Sequence, residues 1–164
     1  YMKMGGATPD TALSARIDRL EREVLAVARP VSKRLKMSVC DLPFMSGDLH
    51  RRLKSAKEAY LFAATLGHDV DRLIRKYAAL SAADLLIVQA IAATAIERYI
   101  DDETASWGEA LLPRYSPGYG DLPLSVQPDF LAALDAQKTL GITLTETFLM
   151  IPSKSVTAII GIQP

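Results

Sequence analysis

The sequence predicts an α+β domain in which an antiparallel sheet packs with a long N-terminal helix and a central apolar helix. Three observations favour this class. Apolar residues recur at steps of three and four over residues 13–35, the most apolar helical segment covers residues 82–103, and β-branched segments follow near the end. The mixed order of these strands and helices favours an antiparallel sheet.

The length and composition set the scale of the fold. With 164 residues, 49% of them hydrophobic, the chain suits a single domain over residues 10–164. Residues 1–9 are expected to be a flexible lead, partly left over from cloning. The formal net charge of zero argues against a generic nucleic-acid binder. Residues 1–80 carry 15 basic and 9 acidic residues, and residues 81–164 carry 4 and 10, which is typical of two solvated helical faces of opposite sign.

Cysteine usage and hydropathy indicate the compartment. Cys40 is the only cysteine, so the chain can form no internal disulfide, and a cytoplasmic location is expected. Cys40 itself is predicted to be a buried structural thiol. The longest apolar run, Leu85 to Ile96, is short and is interrupted by Gln89, which predicts no membrane span and no secretion signal.

The first third of the chain predicts a helix and then a short strand. Thr8-Pro9-Asp10 is typical of a helix start, and the apolar period continues to about Lys36. Pro30 should kink or split this helix. Met37 to Phe44 is predicted to be a strand that ends near a proline.

The next segments alternate between helix and strand. Ser46-Gly47-Asp48 predicts a capped helix to about Leu53, Ala59 to Leu66 a buried strand, and a further helix follows it. His50 and His68 lack the spacing of metal ligands, so surface or capping roles are favoured and no metal site is predicted.

The central helix is predicted to start after Ser81 and to run to about Glu103. Its apolar residues cover more than one face, which indicates a buried position. Glu97 interrupts this surface, so its carboxylate either points to solvent or meets a cationic partner.

The C-terminal part predicts one helix and a hairpin. Asp129 to Leu140 is expected to be helical, with Gly141 ending it. Ile142 to Ile151 and Ser155 to Ile162 are rich in β-branched residues, and they are predicted to pair with each other as a hairpin.

Between these parts lies a loop, Leu112 to Pro128, with four prolines and two glycines. It can be neither a regular helix nor a central strand. Its Arg114, Tyr115, Tyr119 and Asp121 favour order over a flexible linker. Composition alone leaves a binding loop and a plain crossover equally open.

Two segments carry a resemblance to a known family. RYSPGYGD at residues 114–121 and ITLTETFLMIPSKSVTAIIGI at residues 142–162 resemble the activation (reactivation) domain of vitamin B12-dependent methionine synthase. Residues 55–74 resemble the small stand-alone members of that family. The loop departs from the full-length enzyme where Gly120-Asp121-Leu122-Pro123 replaces a P-A-C-P-like segment.

The resemblance implies a ligand and its binding residues. In that family an R-x-x-P-G-Y loop holds S-adenosylmethionine, and a helical glutamate lies near the ligand. The planar fork of Arg114 suits a carboxylate, and glycines permit close backbone approach. Tyr119 is expected to face cobalamin. The residues expected to bind S-adenosylmethionine are Arg114, Tyr115, Ser116, Gly118 and Glu97. No catalytic residue is predicted.

The implied function is reductive methylation. Cob(II)alamin gains an electron and S-adenosylmethionine methylates the product, with cobalamin carried by a partner protein. The partner implied is a methionine synthase lacking its own activation domain, and the electron donor is a low-potential protein such as a flavodoxin. Two alternatives stay open: a non-catalytic S-adenosylmethionine-binding or adaptor module on a corrinoid protein, and a reactivator of another corrinoid methyltransferase.

Overall fold

The structure, a computed structural model, describes residues 10–164. The predicted lead at residues 1–9 therefore lies outside the described residues. The helices are α1 (Thr11–Val27), α2 (Gly47–Leu53), α3 (His68–Leu80), α4 (Ala82–Ala105), α5 (Gln127–Leu134) and α6 (Ala136–Leu140). The strands are β1 (Val31–Ser38), β2 (Glu58–Thr65), β3 (Thr143–Leu144), β4 (Met150–Ile151) and β5 (Ser155–Gly161). Single 3-10 turns cover Val39–Asp41 and Leu124–Val126.

An antiparallel sheet in the order β1-β2-β5 organises the fold, which confirms the predicted α+β class. Leu61 of β2 pairs with Leu35 on one side and Ile159 on the other. Successive side chains of a strand point to opposite faces, so β2 supplies two hydrophobic clusters. Phe62 packs on the face covered by α1, α3 and α4, and Leu61 packs on the face covered by α2, α5 and α6.

Helix α1 is shorter than the sequence predicted. It ends at Val27, and Ala28 is already extended with ψ 135°. Pro30 has no N–H and disfavours helical conformation in the residue before it. The backbone N–H of Arg29 instead donates to the oxygen of Leu66 at 2.8 Å, which leads the chain into β1. The predicted continuation of the helix to Lys36 was therefore wrong.

The strand predicted at residues 37–44 was also placed wrongly. β1 starts earlier, at Val31, and ends at Ser38. The hydroxyl of Ser38 accepts from the backbone N–H of Cys40, so a 3-10 turn begins there. This turn exposes Cys40, which corrects the expectation of a buried thiol.

Helix α4 agrees closely with its prediction. The hydroxyl of Ser81 accepts from the backbone N–H of Asp84 at 3.2 Å and caps the first turn. The buried residues follow at four-residue spacing: Val88, Ala92, Ile96 and Ile100. This stripe belongs to the cluster that α1 and α3 share with β2.

Two C-terminal predictions were wrong. The single helix predicted over residues 129–140 is broken at Asp135, which adopts a left-handed conformation with φ 49°. The predicted hairpin does not form, because β3 pairs with β4 whereas β5 pairs with β2. Nearly every residue of β5 is buried, so this strand gains more by pairing with the buried strand β2 than with an exposed segment.

The described part of the chain contains no helix that is both long and apolar enough to cross a membrane. Within residues 10–164, no three side chains of His, Cys, Asp or Glu lie together so that they could hold a metal ion. His68 lies at the surface, with Nε2 3.1 Å from the oxygen of Gly141.

Two tyrosine–glutamate hydrogen bonds tie elements together. The hydroxyl of Tyr77 on α3 donates to Glu23 on α1 at 2.7 Å, and this bond lowers the pKa of Glu23. The same bond raises the pKa of Tyr77. Tyr60 on β2 donates likewise to Glu109, which lowers the pKa of Glu109. The folded protein therefore keeps both carboxylates ionised to lower pH than the unfolded chain does.

We expect the free energy of unfolding to fall as the pH drops below about 4.5, the ordinary pKa of a glutamate. The reason is that protons bind these carboxylates more readily in the unfolded chain. Urea unfolding at pH values on both sides of that point measures the slope. The double variant Glu23→Gln/Glu109→Gln should flatten the slope, whereas Glu146→Gln, at an exposed position without an ion pair among the described residues, should not. Equal slopes in all three proteins would contradict this account.

Candidate functional site

A surface cavity of about 590 Å³ lies beside the proline-rich loop. This volume falls within the range typical of small-molecule sites. Five of the six predicted binding residues line it: Glu97, Arg114, Tyr115, Ser116 and Tyr119. The sixth, Gly118, is not part of the lining. The elements that meet here are α2, α4, β5 and the loop.

Backbone pairing with β5 holds the loop in place. The N–H of Tyr115 donates to the oxygen of Ile159 at 3.0 Å, and the N–H of Ile159 donates back at 2.8 Å. Leu112 adds a further bond to the oxygen of Gly161 at 2.8 Å. The loop thus begins as an irregular extra strand on the edge of the sheet, and this strand positions Arg114.

Two glycines shape the tip of the loop. Gly118 has φ +94°, and its N–H donates to the oxygen of Leu122 at 2.8 Å, which closes the turn. Gly120 has φ +51°, and a side chain there would collide with the carboxylate of Asp48 and the hydroxyl of Tyr115. Gly118 therefore shapes the turn of the loop and does not line the cavity.

A reciprocal pair of hydrogen bonds joins the loop to α2. The backbone N–H of Asp48 donates to the carboxylate of Asp121 at 3.1 Å, and the N–H of Asp121 donates to the carboxylate of Asp48 at 3.1 Å. This brace brings Arg51 and Arg52 of α2 to the cavity. The sequence marked α2 only by its cap, and nothing local indicated that it lies against a loop more than sixty residues away.

Arg114 is held by acidic residues of α4. Its Nη2 donates to Glu97 at 2.7 Å and lies 3.4 Å from a carboxylate oxygen of Asp101. Glu97 is 56% exposed and yet paired, so it both reaches solvent and meets a cationic partner. The Nη1 of Arg114 is covered and has no hydrogen-bond partner among the described residues. Because an unpaired covered N–H is costly, this atom favours an additional acceptor.

The cavity carries charges of both signs. Arg51, Arg52 and Arg114 lie on its walls with Asp48 and Glu97. Such a site suits a ligand with separate anionic and cationic groups. None of the residues that line this cavity forms a pair of nucleophile and base.

Two tyrosines of the loop have opposite environments. Tyr115 is 7% exposed and packs in the cluster with Leu61 and Ile159. Its hydroxyl donates to the backbone oxygen of Tyr119 at 2.9 Å, which supports the tip. Tyr119 itself is 67% exposed and extends from the rim of the cavity.

The comparisons with known proteins identify the fold. No family model matches the chain. No curated protein matches it either. Among solved structures, the chain is similar to the MetH reactivation domain bound to AdoHcy, with a TM-score of 0.54 and 16% sequence identity. The match covers 98% of this chain and 70% of that one. The chain therefore shares the fold of that reactivation domain.

Gly118→Val is expected to destabilise the protein by about 2–4 kcal/mol, since a β-branched residue is strained at positive φ and would press on Leu124 at 3.2 Å. Gly108→Val is the matched control. Gly108 has φ +70°, but no atom lies within 4 Å of the added group. Gly108→Val should therefore lower the free energy of unfolding by less than Gly118→Val does. Urea unfolding measures both. If Gly108→Val destabilises the protein as much as Gly118→Val does, contact with Leu124 is not the cause of the difference we expect.

Tyr119→Ala should change the free energy of unfolding by less than about 0.5 kcal/mol, because the side chain is largely exposed. Tyr115→Ala, four residues earlier, should cost about 3–5 kcal/mol through the cavity that it leaves in the core. Thermal and urea unfolding of the two variants side by side test this contrast. A large loss in Tyr119→Ala would place that ring in the packing of the fold.

Proposed function

We propose that the protein binds S-adenosylmethionine in this cavity and serves as a reactivation module for cobalamin carried by a separate protein. The observation that carries the proposal is the convergence of Arg114, Glu97, Ser116 and Tyr119 on one cavity, with an unpaired N–H on Arg114. The fold shared with the reactivation domain adds support.

The charged groups of the ligand match the charged groups of the cavity. The carboxylate of the methionine part would bind Arg114, whose Nη2 can exchange its exposed bond to Glu97 for a bond to the ligand. The ammonium and sulfonium groups are cationic, and they suit the carboxylates of Glu97 and Asp48 in the lining. The ring of Tyr115 or Tyr119 can face a cation.

The acceptor would approach from the side of Tyr119. Cobalamin on its carrier would supply the redox and methyl-accepting chemistry, with the electron provided by a low-potential donor such as a flavodoxin. The residues of this chain would orient the methyl donor. A methionine synthase that lacks its own activation domain is the carrier we favour.

Two other functions use the same cavity. An adaptor would bind S-adenosylmethionine and the corrinoid protein without supporting methyl transfer, and a different corrinoid methyltransferase could be the carrier. Reconstitution separates these possibilities. The protein is mixed with a purified cobalamin-bearing methionine synthase fragment, S-adenosylmethionine and a chemical reductant, and methylcobalamin is followed by absorbance. Binding to the fragment without methylcobalamin would favour the adaptor.

Arg114→Ala should weaken the binding of S-adenosylmethionine by about 2–4 kcal/mol, the scale for losing a charge-assisted contact in a partly buried site. Isothermal titration calorimetry measures the affinity. Arg98→Ala is the control, because Arg98 also lies on α4, lines a different cavity beside α1 and has no ion pair among the described residues. Arg114→Lys should recover only part of the loss, since it restores the charge without the fork. Unchanged affinity in Arg114→Ala would reject the carboxylate assignment.

A further inference from the structure

A second, smaller cavity of about 250 Å³ adjoins the first one. The two cavities share Glu97, Ser116, Tyr119 and Val156. The smaller one is therefore a side compartment of the same cleft. None of the arginines that line the larger cavity belongs to it.

The walls of the smaller cavity are mostly apolar. Leu124, Phe148 and Met150 line it, from the 3-10 turn within the loop and from the β3–β4 segment. At the volume that a water molecule occupies in the liquid, the cavity would hold about eight waters. This space is too small for a whole nucleoside with an amino-acid tail, and it suits a single flat ring system.

One buried amide lines this cavity together with other polar residues such as Ser155. Gln127, the first residue of α5, is 2% exposed, and its Oε1 accepts from the hydroxyl of Thr157 at 3.0 Å. The bond orients the amide, because the hydroxyl of Thr157 is its donor. The Nε2 of Gln127 forms no hydrogen bond with any described residue. Gln127 lines the cavity, so its Nε2 can donate to an acceptor atom of a ligand there.

We propose that the smaller cavity holds the purine base of the nucleoside ligand and that Gln127 binds the edge of this base. The inference rests on the proposed function and deepens it. A 6-aminopurine ring is flat and apolar on its faces, and its ring nitrogens are acceptors at the edge. The apolar side chains contact the faces, and Nε2 of Gln127 donates to a ring nitrogen. The amino-acid end of the ligand then extends into the larger cavity toward Arg114.

Two ligands test the two compartments separately. S-adenosylhomocysteine has both the base and the amino-acid end, whereas 5′-methylthioadenosine has the base without the amino acid. Gln127→Met removes the donor at similar length, and it should weaken the binding of both ligands by about 10- to 100-fold. Arg114→Ala should weaken only S-adenosylhomocysteine. Gln137→Met, the same substitution at an exposed position on α6, should change neither affinity.

Folding of the variants is checked by their melting temperatures. If Gln127→Met is unstable, Gln127→Glu keeps the size of the side chain and replaces the donor by an acceptor, so it should also weaken both ligands. The inference is overturned if 5′-methylthioadenosine fails to bind the unmodified protein, or if it binds the Gln127 variants with unchanged affinity. A different result would contradict the proposed function alone. In that case Arg114→Ala leaves the affinity for S-adenosylhomocysteine unchanged, while the Gln127 variants still weaken the binding of 5′-methylthioadenosine.

Discussion

The site depends on the backbone pairing between the proline-rich loop and the outer edge of β5. A sheet edge offers unpaired N–H and C=O groups, and here Leu112 and Tyr115 of the loop bind them. Pro113 lies between these residues, where the ladder requires no donor from it, and Pro117 lies beyond the bridge. These prolines remove none of the hydrogen bonds between the loop and β5. They restrict the backbone of the loop and so stiffen it. An irregular loop can then hold Arg114 as firmly as a strand would.

The cavity is assembled from parts distant in the sequence, and weak bonds connect its charged groups. The ion pair of Arg114 with Glu97 is partly exposed, and exposed pairs contribute little to stability. A ligand carboxylate can therefore replace Glu97 at small cost to the fold. The brace between Asp48 and Asp121 differs, because backbone N–H groups are its donors and both partners are fixed by their own elements. The hydrogen bonds between Asp48 and Asp121 therefore fix the walls of the cavity, whereas the ion pair of Arg114 can be exchanged for a ligand.

Local signals in the sequence were sufficient to predict those helices and strands whose ends are set by nearby residues. Ser46 and Ser81 cap α2 and α4 as predicted, and the apolar run of β2 lies in the centre of the sheet. The failures have non-local causes. Residues 31–36 continue a helical period, yet pairing with β2 makes them a strand. The partner of β5 is likewise β2, nearly one hundred residues earlier, which periodicity cannot reveal.

The same limit applied to the site. The loop motif indicated Arg114 and Tyr119, but the arginines of α2 and the amide of Gln127 join the cleft only through tertiary packing. The positions of the residues that line the two cavities suggest where the methyl group of the ligand would lie. If the base occupies the smaller cavity and the amino acid the larger one, the sulfonium between them lies near the wall that both cavities share. That wall includes Tyr119, which is 67% exposed. A methyl group held there would face the solvent side, where an acceptor on another protein can reach it.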